Sequence, residues 1–401
     1  MAAAEPSAFF ERLGDRARQL QSINVHCANP SRGYDCFQAS DLEGRLSINV
    51  MFLTTAIRGH QGHGVVHYVP QHLSQWTANL WRSGPIDIFW GSASAPDSRG
   101  FVSLGVGGCY ESEVLRRARK VILEVNPRMP VTYGDTLVPL GMVDHFIMNE
   151  HPLPSLKPST PSREDEEIAV HTAGLVSDGS TIQLGIGAIP DAVGKLLATK
   201  KDLGVHTELI NDAMMELSLR GVVNGRKKSL WPGKIVGAFV YGSEELYRFV
   251  DKNPMIEIHP ASVVNDPIRI GRNHKMVSIN TAVEIDLTGQ CCSESVGHRE
   301  LSGVGGATDT HIGAQRSAEG RGIIALRSTT ADARESKIVF ELKPGAKVSI
   351  SRNDIDTVIT EHGIAELKGQ SVGERVRRLV AIAHPSFRDE LLFKARGAAY
   401  L

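Results

Sequence analysis

The chain has little cysteine, no excess of charge and no long apolar run. Its 401 residues hold five cysteines, Cys27, Cys36, Cys109, Cys291 and Cys292. None forms a CxxC pair, and the adjacent Cys291-Cys292 is a poor metal clamp. A sparse, odd set excludes a disulfide framework and fits free thiols in a reducing compartment, so the cytoplasm is expected. Lys and Arg number 44 against 45 Asp and Glu, a net charge of −1. That balance argues against nucleic acid or an anionic membrane as partner. No segment is apolar for 18 residues, so no membrane-spanning helix is expected. The opening Met1-Ala2-Ala3-Ala4-Glu5-Pro6 lacks the charged-then-apolar pattern of a secretory signal. Histidine is plentiful, at 15. Of these, His60-Gln61-Gly62-His63 lacks a carboxylate or Cys at ligand spacing, and no metal is expected there.

What remains is a globular chain, 41% apolar and 22% charged, long enough for two domains. Apolar β-like runs alternate with helical stretches, which predicts an α/β fold with a largely parallel sheet. Strands are expected at 86–90, 121–125, 204–210 and 236–241, and helices at 112–119, 190–201 and 243–251. The clearest break is Pro152 to Glu167, with four prolines followed by Arg163-Glu164-Asp165-Glu166-Glu167. It reads as a linker, 157–162, running into an acidic helix start. The domains are therefore expected at 1–156 and 163–401. Two similar glycine loops, 104–108 and 184–188, each follow a strand and precede a helix, and a third, 302–307, lies near the middle of the second half; the echo suggests two similar α/β halves.

The most informative unit is Gly185-Ile186-Gly187-Ala188-Ile189-Pro190, followed by a helix and then by the strand carrying Glu208. Three readings fit it. Gly185 and Gly187 with Glu208 about 20 residues on resemble a dinucleotide site, but Pro190 stands where the third glycine belongs. The loop could instead present backbone N–H groups to a thioester or phosphate, with Glu208 as a nucleophile. Or it is a plain strand–turn–helix with a surface glutamate. Three other segments are candidate site material. Gly303 to Gly306 can bring bare backbone against a ligand. Asn280, at the end of the apolar run 276–279, could donate to a developing oxyanion or simply make a turn. Glu257 alternates as the polar side of a strand does and is given a structural role.

Taken together, the motifs resemble the acetyl-CoA hydrolase/transferase family, in its 4-hydroxybutyrate CoA-transferase branch of the class I CoA-transferases. The resemblance runs along nearly the whole chain. It rests on Glu124-Val125-Asn126 with Met129-Pro130, His151-Pro152, Leu184 to Asp191, His206-Thr207-Glu208, Asn253-Pro254-Met255, Asn265-Asp266-Pro267, Ser302 to Gly306, Ser351 to Asp354 and Ala381 to Pro385. It implies two open α/β domains with largely parallel sheets and an active site at their interface. It implies that Glu208 is the nucleophile and that Gly185, Ile186, Gly187, Ala188 and Ile189, with Gly305, contact the CoA thioester. Asn280 and Gly306 would hold the thioester oxygen. The implied reaction is acyl-CoA:carboxylate CoA transfer through a covalent glutamyl-CoA thioester. CoA would be a substrate, with no permanently bound cofactor. The partners would be an acyl-CoA and a small carboxylic acid, and a homodimer is admitted. An isolated glutamate ionises at about 4.3, so Glu208 is expected as a carboxylate without help.

The chain departs from the family at Ala307, Asp309-Thr310 and Ile312 after the glycine loop, at Asn211-Asp212-Ala213 after the nucleophile, and at Thr357 and His362 where tyrosines are usual. Its first residues match the interior of a family loop, so a helix and strand are expected upstream of Met1. Two rival functions follow from the same residues: an acyl-CoA hydrolase using Glu208 with water as acceptor, and a non-catalytic CoA-binding protein.

Overall fold

The computed structural model describes residues 2–62, 64–156 and 159–401. His63 and the first two residues of the expected linker, Lys157 and Pro158, therefore lie outside the described residues. The rest of the linker, Ser159–Ser162, leads into the helix Arg163–Gly174 through a capping box. Ser162 accepts from the Asp165 N–H and the Asp165 carboxylate accepts from the Ser162 N–H.

The fold is α/β, as expected. Its frame is a nine-stranded sheet. In spatial order the strands are Gly363–Glu366, Thr357–Thr360, Arg321–Ala325, Met276–Thr281, Thr181–Leu184, Gly204–Ile210, Ile235–Val240, Ile256–Ile258 and Tyr133–Gly134. Every pairing is parallel except that of the Gly363–Glu366 edge. The last strand comes from the first half of the chain and so joins the two halves through one sheet. Two smaller parallel sheets, Ile23–Cys27/Leu46–Val50/Val66–Tyr68 and Ile88–Ala93/Lys120–Val125/His145–Met148, make up most of the first half.

The two faces of the large sheet differ. Side chains alternate along a strand, so Ile182, Leu184, Val205, Val277 and Ile279 fall on one face. All are buried in one apolar core with Ile168, Ala169, Ala192 and Val193 of the helices Arg163–Gly174 and Ala188–Leu196. Each such side chain stabilises the fold by about 1.5–3 kcal/mol. The opposite face of the same strands carries Gln183, His206, Glu208, Ser278 and Asn280. There the helices Ala261–Val264 and Ala307–Arg316 pack on the sheet.

Candidate active site

The chain order around the strand Thr181–Leu184 creates an opening. From it the chain runs outward through 204–210, 235–240 and 256–258, then returns to place Met276–Thr281 on its other side. This is a topological switch point, where loops leave the carboxyl ends of neighbouring strands in opposite directions and leave a crevice. The register puts Leu184 level with Ile279, and the Gly185 N–H donates to the Ile279 carbonyl at 3.0 Å. Counting up from the Thr181–Gly204 pair brings Glu208 to the same level. Glu208 and Asn280 therefore flank Gly185 on the same face, two strand spacings or about 10 Å apart. Gly185 floors the gap, since a Cβ there would stand 3.6 Å from Asn280 Oδ1.

The helix Ala307–Arg316 and its preceding glycine loop close over Glu208. Gly306 caps the helix and brings its backbone against the Glu208 carboxylate, where its N–H favours the ionised form. The approach is so close that a Cβ on Gly306 would lie 2.2 Å from Glu208 Oε2 and 2.0 Å from Asn265 Nδ2. Gly305 turns with φ +55°, and a Cβ there would be 3.6 Å from Oε1. Asn265, fully buried, donates from Nδ2 to Oε2 at 3.4 Å. Burial raises Glu208 from its ordinary 4.5 to about 7; the Gly306 N–H and Asn265 oppose the rise and the Asp309 charge adds to it. The sequence-based expectation of an ordinary, freely ionised glutamate is thus corrected: the fold desolvates this carboxyl.

The first half of the chain fastens the glycine loop from outside. The Leu73 N–H donates to the Gly305 carbonyl at 3.1 Å. Ser74 donates to Asp309 through its backbone N–H at 3.0 Å and its hydroxyl at 2.9 Å. Phe52 stands beside Gly305. Asp309 is buried and its carboxyl is also pushed upward by that burial.

Asn280 lies in a buried polar network. Its Nδ2 faces Ser278 Oγ at 3.0 Å, Thr310 Oγ1 at 3.1 Å and Gln183 Oε1 at 3.3 Å, while Gln183 Nε2 donates to its Oδ1 at 3.2 Å. The Ser278 hydroxyl donates to Gln183 Oε1 at 2.7 Å. Thr310, one of the departures from the family pattern, is thereby tied directly to Asn280.

Of the predicted loop residues, Gly187 caps the helix Ala188–Leu196 with φ +120°, a conformation suited to glycine. The helix begins at Ala188, two residues before Pro190. Pro190 sits in the first turn, where it needs no N–H partner. Ile186 is exposed, and the Ile189 side chain is in the apolar core, which leaves only its backbone for a ligand. Glu257 is held by Lys234 at 3.0 Å and His259 at 3.2 Å, a structural ion network away from this crevice. Among the described residues no cluster of three His, Cys, Asp or Glu side chains is arranged to hold a metal, and no helix is long and apolar enough to cross a membrane. The residues not foreseen as parts of the site are Asn265, Gln183 and Ser278; Thr310 is marked by the sequence as a departure from the family pattern. Asn265 lay in a motif noted for its resemblance alone; Gln183 and Ser278 carried no local signal.

Family models of the acetyl-CoA hydrolase/transferase N-terminal and C-terminal domains match residues 22–156 and 242–395. The chain belongs to the acetyl-CoA hydrolase/transferase family. It is 43% identical over 352 residues to a 4-hydroxybutyrate coenzyme A transferase of Clostridium kluyveri, covering 87% of this chain and 82% of that protein. It is 39% identical to a succinyl-CoA:cyclohexane-1-carboxylate CoA transferase of Geobacter metallireducens, covering 98% of this chain and 89% of the relative. Among solved structures, RipA from Yersinia pestis superposes with a TM-score of 0.94 at 35% identity, covering 100% of this chain and 93% of that one. A 4-hydroxybutyrate CoA-transferase from Porphyromonas gingivalis gives a TM-score of 0.79 at 34% identity, with 97% of each chain covered.

Proposed function

We infer that the protein is an acyl-CoA:carboxylate CoA-transferase in which Glu208 is the nucleophile. The observation that carries this reading is the placement of Glu208. It is a desolvated carboxyl on the strand beside the switch-point crevice, with Oε2 against Gly306 and Asn265 and Oε1 beside Gly305. Similarity to several CoA-transferases along most of the chain supports the reaction class. The acids are read as short ones of the 4-hydroxybutyrate and acetate type, after the relatives' names.

The chemistry needs no resident cofactor. The carboxylate attacks the thioester carbonyl, giving a mixed anhydride and CoA thiolate. The thiolate attacks the glutamyl carbonyl, giving the glutamyl-CoA thioester and free acid. An acceptor acid reverses both steps. Each step passes through a tetrahedral oxyanion, for which the Gly306 N–H is the donor beside Glu208; the Asn280 atom facing Gly185 is Oδ1, so its Nδ2 donates to the substrate oxygen only once the amide turns out of its network. In that role Asn280 exchanges one of its network partners for the substrate oxygen. Burial suits a nucleophile that must also leave, because a carboxylate held near 7 is more reactive than one solvated by water. The five cysteines are all buried and unpaired, which supports a reducing, cytoplasmic setting.

The test is mass spectrometry of the protein incubated with acyl-CoA and no acceptor. A CoA adduct is expected on the peptide containing Glu208, absent in Glu208→Ala, with transfer abolished in that variant. Adding acetate should then convert thioester loss into transfer. Thioester loss at an equal rate without acetate would make the protein a hydrolase, and turnover without any adduct would refute the covalent route.

A further inference from the structure

The two halves of the chain meet at the far edge of the large sheet through Tyr133–Gly134, and His259 stands at that seam. It follows the strand Ile256–Ile258, with 14% of its side chain exposed. Its Nδ1 lies 2.8 Å from Asp135 Oδ2, and its Nε2 lies 3.2 Å from Glu257 Oε2. A neutral imidazole has one N–H and one lone pair. It can donate to one of these carboxylates only by turning its lone pair on the other. An imidazolium donates from both nitrogens and meets both contacts at once. The Trp231 ring lies beside it, with centroids 5.5 Å apart and planes tilted by 31°, which also favours a cation.

The two carboxylates come from different halves. Asp135 follows the strand Tyr133–Gly134, and Glu257 lies in the strand that it pairs with. That pairing is two residues long, extended by the Asp135 N–H, which donates to the Ile258 carbonyl at 2.8 Å. Gly134 has φ +96°, and a Cβ there would stand 2.4 Å from the Ile258 carbonyl oxygen, so the approach leaves no room for a side chain. Beyond His259 the chain enters the helix Ala261–Val264, which also bridges the halves. Its Ala261 N–H donates to the Cys109 carbonyl at 2.7 Å and its Ser262 hydroxyl to Glu113 Oε1 at 2.8 Å. The same helix packs on Leu73–Gln75, the segment of the first half that reaches the active site. Lys234, 3.0 Å from Glu257 Oε1, and Arg116, 4.0 Å from Asp135 Oδ1, face the same cluster. The buried His206 and Lys228 also feel its charges. Burial works against the charge on His259, but the Asp135 and Glu257 carboxylates outweigh it and hold the ring above its ordinary 6.5.

We propose that His259 is a pH-dependent clamp between the two halves: as an imidazolium it ties Asp135 of the first to Glu257 of the second, and loss of its proton at alkaline pH frees the Tyr133–Gly134 strand from the edge of the large sheet. Nothing in this depends on the reaction catalysed. A ring that binds its proton more tightly folded than unfolded stabilises the seam fully below about 6.5, and that contribution is lost as pH rises through the raised value. Once the proton leaves, one carboxylate faces a lone pair and the short pairing holds alone. A short edge pairing without that support opens locally while the rest of the sheet stays closed. Opening there also loosens the seat of the helix Ala261–Val264 and, through it, of Leu73–Gln75.

The test is amide hydrogen exchange of the full chain at about pH 6 and about pH 9, read at the N–H of residue 135 as a protection factor, which corrects for the intrinsic rate at each pH. The Tyr241 N–H, which donates to the Ile210 carbonyl at 3.2 Å inside the sheet, is the internal reference. In the parent, protection at residue 135 should fall about tenfold or more from the lower pH to the higher, while the reference changes by less than about threefold. His259→Gln keeps a donor but no charge, and should show the parent's alkaline value at both pH values. Asp135→Asn, at a half-buried position, removes one of the two anions and should flatten the pH dependence likewise. Lys228, which burial pushes down to about 7, and Glu208 also titrate in this window. Both are present in every protein compared, so the difference between parent and variants reports the clamp. If His259→Gln fails to fold, the parent and Asp135→Asn decide. Equal protection at residue 135 of the parent at both pH values would overturn the proposal. So would a fall in either variant as large as the parent's.

Discussion

The two faces of the central sheet are made by the same strands and are built on opposite principles. One face, with Ile182, Leu184, Val205, Val277 and Ile279, is the continuous apolar surface expected of a parallel sheet covered by helices. The other, with Gln183, His206, Glu208, Ser278 and Asn280, is equally covered but polar. Its groups are satisfied by one another and, for His206, by the Val264 carbonyl; Gln183, His206, Ser278 and Asn280 are buried and Glu208 is half-buried. Such a layer adds little net stability and is costly wherever a partner is missing. The difference teaches where the molecule keeps its fold and where it keeps its chemistry: one residue step along a strand moves from one to the other.

Substitutions can break that comparison. The largest effect is expected at the closest approach. Gly306→Ala would push a methyl group to 2.2 Å from Glu208 Oε2 and 2.0 Å from the buried Asn265 Nδ2, so kcat should fall by about 10³-fold or more and overpacking should cost about 1–3 kcal/mol of stability. Asn280→Ala should lower kcat by about 10²–10³-fold, as for loss of one oxyanion donor. A normal kcat with only a raised KM would show that Asn280 merely binds substrate. Next come a matched pair, one from each face. Ile182→Ala, in the apolar core, should cost about 2–5 kcal/mol in denaturant unfolding while the folded enzyme keeps its kcat within about threefold. Ser278→Ala, in the polar network, should cost about 1–3 kcal/mol, because Gln183, Thr310 and Asn280 each lose a partner, and also lower kcat about tenfold by freeing the Asn280 amide. If both variants lost stability and activity in proportion, the two faces would not be separable.

Much of the apolar face was legible in the sequence, because period-two and helical patterns report burial directly. The strand 204–210 matches Gly204–Ile210, and 236–241 matches Ile235–Val240 within a residue. The helix expected at 112–119 spans only Glu111–Leu115, and the strand expected at 86–90 lies at Ile88–Ala93. Here the charged run Arg116-Arg117 and the apolar residues near it gave no sharp end signal. Tyr133–Gly134, only two residues long, gave no strand pattern, and it joins the large sheet by pairing with Ile256–Ile258, more than 120 residues away in the chain. On the polar face, Glu208, Asn280 and the loop Gly303–Gly306 were candidates from the residues themselves, and the resemblance chose among the readings left open. Their partners were not, because each contact spans a long stretch of chain: Asn265 meets Glu208 across 57 residues, and Gln183 meets Asn280 across 97. The upward shift of Glu208 was hidden for the same reason, since burial is set by the helix Ala307–Arg316 and its loop, far away in sequence.

The central claim is that the polar face sacrifices stability to keep Glu208 ready to react, and unfolding measurements on the parent and Glu208→Gln at two pH values test it most directly. Folding raises the carboxyl from its ordinary 4.5 to about 7. The folded state therefore binds more protons than the unfolded state in that window, and stability falls as pH rises through it. Gln is a neutral isostere that avoids this loss. Glu208→Gln is predicted to be inactive and more stable than the parent at pH 8, by at most about 3 kcal/mol, with the two converging near pH 4.5. Equal stability at both pH values, or a parent more stable than the variant at pH 8, would contradict the account.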